Sequence, residues 1–98
     1  ADFAADLPAE EAAFMARSQV FPALVAFETP VGPPAWATKP SWALIPTEDR
    51  AINPELMRRM AGRAGSVATE ISGSHAVFAS QPEAVAGLIE AAALALAD

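Results

Sequence analysis

Pro40-Ser41-Trp42-Ala43-Leu44-Ile45-Pro46-Thr47-Glu48-Asp49-Arg50-Ala51-Ile52-Asn53-Pro54-Glu55 decides the fold of this chain. Residues 40–46 form a short, nearly continuous apolar run, the pattern of a strand covered on both faces. Thr47 to Arg50 follow as a polar loop. Asn53, Pro54 and Glu55 then supply an N-cap, a proline at the first helical position and an acid in the first turn. Ile52, Leu56, Met57, Met60, Ala61 and Ala64 fall on one face of the helix, with Arg58, Arg59 and Arg63 elsewhere. Gly65 is a natural stop.

Moving towards the C-terminus, Ser66 to Ile71 reads as a second short strand. Ser72-Gly73-Ser74-His75-Ala76 is a loop of small residues. Ser80-Gln81-Pro82-Glu83 has the S-x-x-E spacing of a capping box. A last helix follows, with Val85, Leu88, Ile89, Ala92 and Leu96 expected on its buried face and Ala91 to Ala97 expected to fray. The order strand, helix, strand, helix makes the strands parallel neighbours through a right-handed crossover, so this is an α/β unit.

Towards the N-terminus the signals weaken. Pro8 to about Gln19 reads as a helix with Glu10 and Glu11 in its first turn. Phe21 to Phe27 is a short apolar run of open type, with Pro22 favouring a helical turn. Thr29-Pro30-Val31-Gly32-Pro33-Pro34 is a connector. The division is a helical segment over 1–37 and the strand-helix-strand-helix unit over 38–98.

Composition bounds the function. The chain has 98 residues, a formal charge of -6 and 53% apolar residues. An acidic chain is a poor partner for nucleic acid or an anionic membrane surface. So apolar a chain is not a disordered acidic tail. It has no cysteine and one histidine, which excludes a thiolate nucleophile, a disulfide and a multi-histidine metal centre. No run approaches the ~18 apolar residues of a membrane span, and no basic segment precedes an apolar one as in a secretory leader. The expectation is a cytoplasmic protein without cofactor. Residue 1 is Ala, not Met, which points to a processed chain or a piece of a longer one.

Sites in open parallel sheets form outside the carboxyl ends of the strands. Asp49 follows the first strand and His75 the second, so both loops belong at one sheet edge. A carboxylate there fixes the imidazole tautomer, stabilises the imidazolium and leaves the other nitrogen as a base. Glu48 is a rival acid one residue away. A lone histidine in a loop is also, commonly, only a solvated or capping residue.

These residues resemble the α/β-hydrolase fold superfamily. Residues 40–54 are similar to its late strand and acid loop: a hydrophobic strand, a short turn, Asp, then an apolar residue and Pro opening a helix. Gly73-Ser74-His75-Ala76, followed by an apolar pair and a Ser-x-Pro-Glu helix start, resembles its histidine loop and final helix. The 26-position separation of Asp49 and His75 suits that resemblance, which covers about residues 38–97. Small bacterial esterase-like hydrolases related to plant esterases and hydroxynitrile lyases are the nearest in character. Asn53 before Pro54 departs from the apolar residue common there.

The resemblance implies His75 as general base and Asp49 as its acid, in the order nucleophile, acid, histidine. The chain contains no G-x-S-x-G, and Ser66 and Ser74 lack the strand-turn-helix setting of a nucleophile elbow. The implied molecule is the C-terminal portion of a cofactor-independent serine hydrolase of small apolar esters or related acyl substrates. This chain alone would be inactive, and its partner would be the N-terminal half of the same hydrolase. The alternative is a non-catalytic α/β module that binds a partner or self-associates as a homodimer.

The remaining features have plain readings. Arg50, Arg58, Arg59 and Arg63 read as a solvated face before an anion site. Trp42 reads as core, and Trp36 as a packing anchor or a substrate contact. Phe14, Met15, Phe21 and Phe27 read as core before pocket lining. Val77 and Phe78 are expected to pack behind the histidine.

Overall fold

The computed structural model describes residues 2–97. Helices α1 (Ala9–Arg17) and α2 (Leu24–Glu28) and a single 3-10 turn at Ala35–Ala37 precede strand β1 (Trp42–Pro46). Helix α3 (Pro54–Ala64), strand β2 (Val67–Ile71), the one-turn helix α4 (Val77–Ser80) and helix α5 (Pro82–Leu96) complete the order.

β1 and β2 pair in parallel, with Trp42 opposite Val67 and Pro46 opposite Ile71. The α3 crossover that joins them has clear local causes. The Asn53 side chain accepts the Glu55 N–H at 2.8 Å, satisfying one of the donors a helix start leaves open. At the other end Gly65 adopts φ 69°, a left-handed conformation that costs a side-chain-bearing residue more than glycine. Arg58 then ties α3 to β2, its Nη2 and Nε donating to Glu70 at 2.8 and 3.0 Å. Arg58 also reaches Glu55 within the helix at 3.1 Å. Arg63 lies over the Trp36 ring, 5.6 Å from its centroid. Two of the four arginines therefore have specific partners, and the basic face is not merely solvated.

Two expectations fail here, the Ser80 cap and part of the buried face of α5. Ser80 does not cap α5: it ends α4, and its hydroxyl donates to Asp6 at 2.6 Å, while Gln81 stands at the α5 N-cap without a side-chain bond to the helix start. α5 runs through the alanines to Leu96. On that helix Val85, Leu88 and Ala92 are half-buried, whereas Ile89 and Leu96 are exposed.

The core is small. Its buried apolar residues are Ala4, Ile45, Ala61, Ala76 and Val77. Trp42 is only half-buried. Phe14 is 64% exposed, Phe27 75% and Phe21 fully, so these are not core residues within the described chain. Met15 is half-buried. The accessible surface is 7335 Å², against about 5,300 Å² for a compact monomer of this mass. The radius of gyration is 15.4 Å, where a compact domain of this length has about 13 Å. Two strands cannot bury the apolar residues these helices carry.

Candidate active site

The parallel register brings the loops after β1 and β2 to one edge, and backbone bonds continue the ladder into them. Thr47 N–H donates to the Ile71 carbonyl at 2.8 Å, and Glu48 N–H to the Gly73 carbonyl at 3.1 Å. A turn closed by Asp49 N–H on the Pro46 carbonyl at 3.3 Å follows, and it swings the Asp49 side chain inward.

Asp49 is buried, and every bond it makes is local or directed at the histidine. Its Oδ1 accepts the N–H groups of Ala51 and Ile52 at 2.8 and 2.9 Å, an Asx-type turn. Its Oδ2 lies 2.7 Å from His75 Nδ1. Burial pushes the Asp49 carboxyl up. The Ile52 N–H, the His75 imidazole and the Ala51 N–H outweigh it and hold the carboxyl below its ordinary value. Asp49 is therefore ionised at neutral pH. An ionised carboxylate only accepts hydrogen bonds, so Nδ1 carries the proton, and the neutral form of the ring is the tautomer with its lone pair on Nε2. The His75 side chain is 31% exposed.

Glu48, the rival acid, is exposed and takes the Ser72 hydroxyl instead. Ser74, next to the histidine, is fully buried. Its hydroxyl donates to Asp6 and accepts the Ala76 N–H at 3.2 Å, a structural role that leaves no lone hydroxyl facing the imidazole. Val77 packs in the core behind the loop, as expected, but Phe78 is half-exposed, its ring edge-on to Phe3.

Phe3 and Asp6 were not foreseen. The Phe3 ring lies 4.8 Å from the imidazole, centroid to centroid, tilted by 45°. The Phe3 carbonyl accepts the Ala76 N–H at 2.9 Å. Asp6 holds the hydroxyls of Ser74 and Ser80, and these bonds lower its carboxyl pKa. No local pattern signals this, because the partners lie 68 and 74 positions away.

Asp49 and His75 thus meet beyond the ends of two parallel strands joined by a helical crossover. The family model described as the alpha/beta hydrolase family matches residues 1–88. The chain belongs to the alpha/beta hydrolase family. No curated protein and no solved structure matched it. In this hydrolase the match extends through the N-terminal residues that carry Phe3 and Asp6 and ends within α5. Among the described residues no three His, Asp or Glu side chains are grouped as a metal site requires. No helix among them is long and apolar enough to cross a membrane.

Proposed function

We propose that this chain supplies the acid and base of a serine-type α/β-hydrolase acting on a small, mostly apolar ester or related acyl substrate. One observation carries the reading: the buried, ionised Asp49 bonded at 2.7 Å to His75 Nδ1. His75 Nε2 takes the proton from a serine hydroxyl as that oxygen attacks the acyl carbon, and returns it to the leaving group. Asp49 fixes the tautomer and stabilises the imidazolium. The serine and the oxyanion donors come from a part of the hydrolase N-terminal to these residues, since the chain has no G-x-S-x-G and Ser74 is committed to Asp6.

The same preceding part covers the exposed apolar surface. An excess of about 2,000 Å² over a compact monomer is one partner's share of a large obligate interface, and the outer edge of β1 has no partner strand among the described residues. Residues 1–37 then connect the cap region to the penultimate strand. A non-catalytic module would share the uncovered surface, but has no use for a buried carboxylate bonded to an imidazole.

The test is a serine-directed fluorophosphonate probe on the full-length protein, with p-nitrophenyl acetate as substrate. Hydrolysis is expected, with inhibition by the probe and the label on a serine outside residues 1–98. A label on Ser74, or no hydrolysis and no label, would refute the assignment. A self-associating chain of about 10 kDa with no hydrolysis would move the binding-module reading into its place.

A further inference from the structure

His75 is fixed by Asp49 at one atom only. A single hydrogen bond to Nδ1 leaves the ring free to pivot about that contact and to follow any movement of its loop. The irregular segment before α1 limits both motions. Phe3 packs against the imidazole, and its carbonyl holds the backbone just after the histidine through the Ala76 N–H at 2.9 Å. Asp6 takes the hydroxyl of Ser74, immediately before His75, on one oxygen, and the hydroxyl of Ser80, at the end of α4, on the other. One carboxylate therefore spans the histidine and ties the loop that precedes it to the helix that follows.

Gly73 keeps the space for this brace. A Cβ there would stand 3.0 Å from Asp6 Oδ2 and 2.9 Å from Gln81 Nε2. Gln81 Nε2 itself donates to the Ser72 carbonyl at 2.6 Å. A side chain at residue 73 would press on both ties at once.

We propose that Asp6 is a positioning residue for His75: by bridging Ser74 and Ser80 it holds the imidazole against Asp49 with Phe3 packed against it. This rests on His75 acting as the base. The bridge works through hydrogen bonds and shape, not through charge. An asparagine can therefore replace it, its amide oxygen accepting from Ser74 and its NH2 donating to the Ser80 oxygen.

The experiment compares Asp6→Ala, Asp6→Asn and Ser80→Ala in the full-length protein, with His75→Ala as the control. It follows kcat and KM for p-nitrophenyl acetate and the low-field Nδ1 proton of His75 by NMR. Asp6→Ala is expected to lower kcat about ten- to a hundredfold, the scale set by a small misplacement of a reacting group, with KM unchanged and the low-field signal weakened. Asp6→Asn should keep most of kcat and the signal. Ser80→Ala, which cuts only the exposed tie, should show a smaller loss in the same direction even where Asp6→Ala fails to fold. Full kcat and an unchanged signal in Asp6→Ala or Ser80→Ala, beside an inactive His75→Ala, would overturn the proposal. So would Asp6→Asn losing as much as Asp6→Ala, which would assign the effect to charge. An active His75→Ala would instead defeat the reading on which the proposal rests, and the proposal with it.

Discussion

The Glu48 N–H donates to the Gly73 carbonyl at 3.1 Å, and this bond extends the β1–β2 ladder beyond both strands into the loops that hold Asp49 and His75. The pairing of two five-residue strands thus sets the separation of an acid and a base far apart in the chain. The site inherits its precision from the sheet, which is the more rigid support.

Replacing Asp49 with Asn keeps the bonds to Ala51 and Ile52 but turns an NH2 group towards His75 Nδ1. The imidazole must then accept at Nδ1 and carry its proton on Nε2, where it cannot act as a base. Turnover of p-nitrophenyl acetate by the full-length protein should fall about 10³- to 10⁴-fold, with little change in Tm. Asp49→Ala should in addition destabilise by about 1–3 kcal/mol, because it strips the acceptor from two backbone N–H groups.

Asp49 and Asp6 both have carboxyls held below their ordinary value in the folded protein. Their contribution to stability is fully present above the unfolded aspartate pKa of about 3.9. It is lost as pH falls through the lowered folded values, because the unfolded chain then binds protons that the native one refuses. Urea midpoints of the full-length protein should hold between about pH 5 and 7 and decline below about pH 4. Asp49→Asn should flatten the acid limb.

Helix α3 sets the crossover, and its two ends are separable. Asn53→Ala removes the bond to the Glu55 N–H and should cost about 1 kcal/mol. Gly65→Ala forces a side chain into the left-handed region at φ 69° and should cost about 1 kcal/mol. The two sites share no partner, so chemical denaturation of the double variant should give nearly the sum.

The uncovered apolar surface has a direct consequence for residues 1–98 expressed alone. They should bind ANS, aggregate or unfold without cooperativity, and be recovered by co-expression with the preceding part of the hydrolase. A monomeric, ANS-silent, cooperatively unfolding chain would contradict this.

The strand-helix-strand unit was legible because its signals are local. The apolar run before Pro46, the Asn53 cap and the Gly65 stop each act within a few residues, and the structure has all three. The Asp49–His75 proximity was legible for the same reason, since parallel pairing of two short strands puts their ends together. Ser80 misled because S-x-x-E spacing describes an opportunity for a cap, and Asp6 competes for the hydroxyl from 74 positions away. Phe14, Phe21 and Phe27 are uncovered among the described residues, because apolar character says that a residue needs cover, not which segment supplies it. Phe3 and Asp6 stayed hidden because tertiary contact alone gives them their place beside the histidine.

The most direct test of the account is p-nitrophenyl acetate turnover by the full-length protein carrying His75→Ala. With His75 as the base held by Asp49, kcat should fall by about 10⁴- to 10⁶-fold while the protein remains folded. Turnover retained at the wild-type level in a folded His75→Ala variant would contradict the account.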